Sequence, residues 1–352
     1  GHANAQDVTT AGRTPNFPFA SLNYALTRVT ASNGDTVFVA PGHSEAVDAA
    51  DAIRFGIAGV RVVGIGEGLL RPTITYSATA GDVEVDAANC SIENFYFDVT
   101  GIDAVVAAVD VNAADFTMKN CEILMADAGG QCTEFILTDA NADRLKVYNC
   151  LFRSPNAGAN NAISIVGTPD GIEIVGNRIL GDFGDGCIHN PTGNVATNLY
   201  IADNYLQNDQ TGDHAIELVS ACTGLLKNNI LVTDAIATAL DQGSCYASGN
   251  MFYDSSDTDA AGTPIPETVT TGGHSLSQIA DRLGADADTD AIAAALYGSA
   301  GIATFPAAAA PANAASLAES IRAIYDRQLG DGTDASTDRK STRLNSSHLV
   351  IS

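Results

Sequence analysis

A solenoid of stacked β-strands is the fold class this sequence predicts. Seven asparagines, Asn94, Asn120, Asn149, Asn177, Asn204, Asn229 and Asn250, recur at spacings of 26, 29, 28, 27, 25 and 21 residues. Each follows a short run of alternating apolar and polar residues, the mark of a half-buried strand, and the repeats carry no helical spacing. A period of about 20–50 residues with one supersecondary unit in each is how stacked repeats show themselves in a sequence.

The elements follow in order. Residues 1–17 are polar and contain Gly and Pro, a leader or linker composition; the opening Gly-His-Ala lacks a methionine and reads as a trimmed fragment. Phe19 to Leu26 has apolar residues at helical spacing, and Gly34 to Gly42 reads as turn, strand, turn. The solenoid is placed over 18–255, and from about residue 58 to 255 the strands come in pairs, as in Ala162–Val166 with Ile172–Ile174, or His214–Leu218 with Leu225-Leu226. Nine or ten coils are expected, stacked at about 4.8 Å per coil. Asparagine suits the bends because it tolerates the left-handed backbone region and hydrogen-bonds locally. In register the seven amides would form a ladder. Two residues separate Ile92 from Asn94 but three separate Ile174 from Asn177, so the ladder is expected to shift between the third and fourth rungs. Residues 256–273 have a linker composition. Residues 274–335 read as a small helical segment, with Leu317, Ile321 and Ile324 in a narrow stripe of the kind that makes an oligomer seam. Residues 336–352 change composition abruptly and resemble a translated sequencing adapter.

Composition narrows the partners. The net charge is −25, from 42 acidic and 17 basic residues, which repels nucleic acid and anionic lipid. No run of about 18 apolar residues predicts a membrane span. The seven cysteines fit neither zinc spacing nor a disulfide framework; Cys90, Cys121 and Cys150 beside the asparagines, with Cys187, Cys222 and Cys245, read as small buried side chains.

Phe19–Leu26 followed by Gly34-Asp35-Thr36-Val37-Phe38-Val39-Ala40-Pro41-Gly42 resembles the entry of right-handed parallel β-helix proteins of the pectin-lyase-like kind. That resemblance implies an all-β, right-handed parallel β-helix whose open end is covered by the N-terminal helix. With Ser316-Leu317-Ala318-Glu319-Ser320-Ile321, the chain over about residues 18–335 is similar to β-helix proteins encoded among virion genes of environmental tailed phages. This similarity implies a virion or extracellular location, other virion proteins or polysaccharide as partners, and a homotrimer as the assembly it suggests. The first functional expectation is thus a non-enzymatic rod that contacts glycans. The alternatives are a polysaccharide hydrolase or lyase of the tailspike type, and an extracellular bacterial adhesin.

Chemistry would sit where adjacent coils bring acids and histidines together. Gly181-Asp182-Phe183-Gly184-Asp185-Gly186 reads as a turn entering a strand that ends at His189. The next coil carries Asp213, His214 and Glu217, and the one after it Asp241. Paired carboxylates at about 5–9 Å hydrolyse glycosidic bonds, and histidine serves as acid or base. The candidate catalytic residues are therefore Asp182, Asp185, Asp213, His189, His214 and Glu217. Gly184-Asp185-Gly186-Cys187-Ile188-His189 resembles the aspartate-pair segment of polygalacturonases, whose Asn-Thr-Asp, Gly-His-Gly and Arg-Ile-Lys segments are absent here. A lyase would need a basic residue, and the nearest, Arg178, falls on the far side of the asparagine bend. No cofactor is assigned. Calcium would suit such oxygen ligands, but Asp286-Ala287-Asp288-Thr289-Asp290, the start of an EF-hand-like run, has Tyr297 where the twelfth-position glutamate belongs. His43, beside Ser44 and Glu45 in a turn, reads as structural.

Overall fold

The computed structural model describes residues 3–127, 129–255 and 263–264. Each coil carries three strands, not two. The first stack has nine parallel strands, from Thr36–Val39 and Arg61–Gly64 to Gly224–Lys227 and Tyr246–Ser248. Nine strands bound eight turns, one or two fewer than the sequence suggests. The second stack begins with Ser44–Val47 and ends with Met251–Asp254; the third runs from Ile53–Phe55 to Leu240–Gln242. Two long strands, Leu151–Ser164 and Arg178–His189, pass through both of these stacks and join them into one sheet. After the last coil Thr263-Pro264 turns back and pairs antiparallel with Phe252 and Met251. The helical segments expected at 274–335, the acidic run at 286–290 and the suspected adapter lie outside the described residues.

The strand missed in the sequence is the one that follows each asparagine. It is as short as three residues, with one inward side chain: Phe97, Ile123, Phe152, Ile179, Leu206, Leu231 or Phe252. One apolar residue per strand gives no visible alternation. These residues stack along the interior, and Phe97, Phe135 and Phe152 meet edge-to-face at 5.2 and 5.6 Å between ring centres.

The bend between the first and second strands resolves the shift in asparagine spacing. Two columns of residues stand side by side there. The outer column, Asn94, Asn120, Asn149, Gly176, Asp203, Asn228 and Gly249, has φ between 53° and 70° throughout. Only Gly, Asn and Asp occupy it, because these residues enter the left-handed region at least cost. The inner column, one residue later, is buried and reads Phe95, Cys121, Cys150, Asn177, Asn204, Asn229 and Asn250. Asn94, Asn120 and Asn149 are therefore not rungs of the ladder: they hold the backbone at the bend and point away from the interior column. The ladder proper has four rungs. The Nδ2 of Asn177 donates to Asn204 Oδ1 at 3.1 Å, Asn204 to Asn229 at 2.9 Å and Asn229 to Asn250 at 2.9 Å. The Cys150 amide closes the near end by donating to Asn177 Oδ1 at 2.9 Å. Cysteine and asparagine alternate as solutions for one buried column, and all seven cysteines are free and buried.

The N-terminal helix spans Leu22–Leu26, shorter than its apolar pattern, with Ser21 as its cap. Leu22, Ala25 and Leu26 bury against the first coil. Both carboxylate oxygens of Glu45, 9 % exposed, accept from the Leu22 amide, and His43 Nε2 lies 2.8 Å from Glu45 Oε2. His43 is thus structural, as its sequence setting suggests: it holds the carboxylate that receives the first turn of the helix.

A candidate ligand groove on the third face

The third stack carries two outward columns. One reads Arg54, Glu84, Asp110, Leu137, Ser164, His189, Glu217 and Asp241 in strict register. The other, three residues earlier on each strand, reads Ala107, Glu134, Asn161, Gly186 and His214. Residues three apart on a straight strand point to opposite faces. Here the two residues between the columns are both buried, as in Phe135-Ile136, Ala162-Ile163, Cys187-Ile188 and Ala215-Ile216. The doubly buried pair breaks the alternation, so both columns lie on the outer side of the stack, and the strip between them is called the groove. His214 Nδ1 and Glu217 Oε2, on one strand, accordingly lie 3.9 Å apart.

The sequence candidates divide. Asp185 and Asp213 fall side by side, since Gly186 pairs with His214 on the next coil. His189 pairs with Glu217, and its Nε2 is 3.7 Å from Glu217 Oε2. Asp241 stacks on Glu217 as expected. Asp182 does not join them. The stretch from Gly181 to Gly186 is not a turn but the middle of a twelve-residue strand, with Phe183 buried in the core. Gly181 is there for close packing: a Cβ would meet Ser154 Cβ at 2.6 Å. Phe183, pairing with Ala159, separates Asp182 from Asp185, and Asp182 Oδ1 is buried without a protein partner. Arg178 lies at the start of that strand and stacks on the Tyr205 ring, 5.3 Å from its centre, away from the groove.

Four further residues line the groove: Asp110, Glu134, Asn161 and Ser164. A signal existed in the register, since tracing alternation back from Glu217 through His189 leads to Ser164. Burial raises the Glu134 carboxyl, with Asp185 and Asp110 adding to it and a hydrogen bond from Ser164 opposing it. Asp213 is also raised, by burial first and then by Asp185, with His214 opposing. Burial, then Asp82 and Asp139, pushes Asp110 up to about 6. Glu84, below it, goes to about 7 through burial and Asp110. Asn161, 1 % exposed between Glu134 and Gly186, has neither amide atom paired within the protein; buried amides of this kind are served by ordered water.

Chemically the groove offers carboxyls held ready to donate protons, carboxylates and two imidazoles. From Asp110 to Asp241 its two columns contain no lysine or arginine. Beside its lower end Asp51, Asp82 and Glu84 bring one oxygen each within 4.8 Å of the others, an all-oxygen trio of the type calcium takes. Part of that trio is already engaged: the Asp51 amide donates to Asp82 Oδ1 at 2.7 Å, and Arg54 lies 3.7 Å from Asp51. Among the described residues no helix is long and apolar enough to cross a membrane. Comparison with protein-family models, with curated proteins and with solved structures gives no match.

Proposed function

We propose that this chain is a structural rod, displayed on a virion or in the extracellular space, whose third face contacts glycans without cleaving them. The observation that carries the reading is the groove itself. Two columns rich in hydrogen-bonding side chains, interrupted by Ala107, Leu137 and Gly186, run side by side over successive coils at the spacing of the strands, so that a polymer of hydroxylated units could lie along them. Carboxylates and imidazoles bind sugar hydroxyls well, and from Asp110 to Asp241 the columns hold no lysine or arginine to select a polyanion. The virion setting rests on the sequence resemblance, and a bacterial adhesin would use the same face in the same way.

Hydrolysis is the second reading, favoured by one pairing. Asp185 and Asp213 stand side by side on neighbouring coils, and the Asp213 carboxyl is raised by burial first and then by Asp185. Two carboxyls facing each other across a substrate are the parts of a glycosidase.

The full chain, offered neutral and acidic polysaccharides, tests both. Retention on neutral polymers without new reducing ends is expected. Replacement of Glu134, Asp185 and Asp213 together by alanine should abolish retention. New reducing ends lost in Asp185→Asn or Asp213→Asn would replace the first reading by the second. No retention on any polymer would remove both.

A further inference from the structure

We propose that the Asn33-Gly34 step is a self-modification site, at which Asn33 is converted to aspartate and isoaspartate through a cyclic imide with water as the only co-reactant. The chemistry has three requirements. The side-chain carbonyl carbon of the asparagine must reach the backbone nitrogen of the next residue, that nitrogen must be free, and no side chain must crowd the attack. Only Asn33, of all the asparagines in the chain, precedes a glycine.

Asn33 and Gly34 are exposed, in the turn between the N-terminal helix and the first strand of the first stack. Gly34 has φ 72°, and a Cβ built there would meet nothing within 4 Å. Among the described residues its amide makes no hydrogen bond, so none has to break before it attacks. Asn33 Nδ2 donates to Asp35 Oδ1 at 2.7 Å. That bond folds the Asn33 side chain forward along the chain, past the Gly34 peptide. Asp35 is itself anchored, since its Oδ2 accepts from the Thr30 amide at 2.6 Å.

Among the described residues the comparable steps are closed. An aspartate before a glycine forms the same imide. At Asp170-Gly171 the glycine amide is already held by Thr197 O at 2.8 Å. At Asp185-Gly186 the glycine is buried within a strand, opposite His214. Asn190 precedes a proline, which has no N–H. Asn141 precedes Ala142, whose amide donates to Asp139 O at 3.3 Å.

In the first step Gly34 N loses its proton to solvent and bonds to Asn33 Cγ. The Cγ–Nδ2 bond breaks, and the nitrogen takes up a proton and leaves as ammonia. Water then opens the imide. Attack at Cγ gives aspartate, and attack at the backbone carbonyl carbon gives isoaspartate, whose main chain is longer by one methylene. Either product adds a negative charge to a chain already at −25. Asp35 then loses the Nδ2 donor and faces a carboxylate in its place. The turn so loosened is one that ties the first coil to the second: the Ser32 amide donates to Ala58 O at 2.7 Å, and the Arg61 amide to Asp35 O at 3.0 Å.

The test is to age the full chain in mildly alkaline buffer, then map its peptides by mass spectrometry and measure the ammonia released. The peptide holding Asn33 should gain about one mass unit before any other asparagine peptide does, and should separate into two products. Gly34→Ala should slow the change at least about tenfold, and Asn33→Gln should abolish it. Circular dichroism establishes that both variants are folded; should the alanine at φ 72° fail that check, Asn33→Gln carries the comparison alone. The aged parent should melt at a lower temperature than the fresh chain, and aged Asn33→Gln should not. Earlier modification of any other asparagine would overturn the proposal. So would a native rate more than about tenfold below that of the same chain in urea, since the fold would then protect Asn33. An aged parent that melts like the fresh chain would overturn the role given to the turn. The site stands or falls independently of the glycan reading.

Discussion

Replacing Asn204 by leucine tests the division of the bend into two columns. The side chain of Asn204 makes four hydrogen bonds in a buried setting. Its Oδ1 accepts from the Asn177 amide at 2.8 Å and from Asn177 Nδ2 at 3.1 Å. Its Nδ2 donates to Ile174 O at 2.8 Å and to Asn229 Oδ1 at 2.9 Å. Leucine, similar in volume, strands the Asn177 backbone amide, leaves Asn177 Nδ2 with only its bond to Val147 O at 2.8 Å, and takes a donor from the Ile174 carbonyl, while Asn229 Oδ1 keeps its bond from the Asn204 backbone amide at 3.1 Å. Each stranded buried group costs about 1–3 kcal/mol, and the added apolar burial offsets part of the total, leaving a net loss of about 4 kcal/mol. For a domain of this size that lowers the thermal midpoint by about 10 °C. Asn120→Leu is the comparison. Asn120 is exposed, has φ 55° and makes one side-chain hydrogen bond, to Glu93 at 3.2 Å. Leucine there costs only the left-handed backbone, about 1–2 kcal/mol, and glycine should cost close to nothing. Urea unfolding followed by far-ultraviolet circular dichroism would rank the three variants. A loss in Asn204→Leu no larger than that in Asn120→Leu would refute the two-column account.

Three other outcomes are expected. Folding raises Glu84 from 4.5 to about 7 and Asp110 from 3.8 to about 6, so between about pH 4 and pH 7 the folded chain retains protons the unfolded chain has released. The stability these two groups contribute is full at the acid end of that window and is lost as pH rises through it; the urea midpoint should fall from pH 5 to pH 7.5, with a smaller fall in Glu84→Gln. All seven cysteines are buried and free, so an aromatic disulfide reagent should titrate fewer than one thiol in the native chain and all of them in denaturant. Glu45→Ala leaves the first helical amide uncapped at the covered end of the stack and should cost about 2 kcal/mol by urea unfolding, whereas Ser44→Ala, at an exposed position, should be within about 0.5 kcal/mol of the parent.

What the sequence made legible was the repeat and the coil-to-coil placement of its polar residues. Asn177, Asn204, Asn229 and Asn250 could be found because four identical residues share one column. Asp185, His189, Asp213 and Glu217 met as expected because register in a parallel stack follows directly from period. The misreadings have physical causes. Asn94, Asn120 and Asn149 entered the ladder because asparagine satisfies two different needs at this bend, a left-handed backbone and a buried amide, one residue apart. Asp182 was placed in the groove because the glycines around it look like a turn; they are spacers in a strand whose Phe183 faces the core. Glu134 and Ser164 were overlooked because the doubly buried pair makes their strands depart from alternation. Asn190 lies outside the ladder yet is also buried, 1 % exposed and donating to Ile165 O at 2.6 Å, so burial of an asparagine does not by itself mark a rung.

The ladder is also directional. Cys150, Asn177, Asn204 and Asn229 each direct donors toward the next rung, and no rung supplies an acceptor to the one that follows it. Each coil therefore leaves at this bend amide donors that the next coil satisfies, beside the rung's own carbonyl, which accepts from the residue after the next rung. A coil docked one residue out of register would present the wrong column, a left-handed Gly, Asp or Asn facing outward, and leave those donors dry. Correct winding is thus checked once per turn, at a point where error is costly and correction still local. The same bonds that stabilise the bend thus also fix which residue of each coil may stand above which.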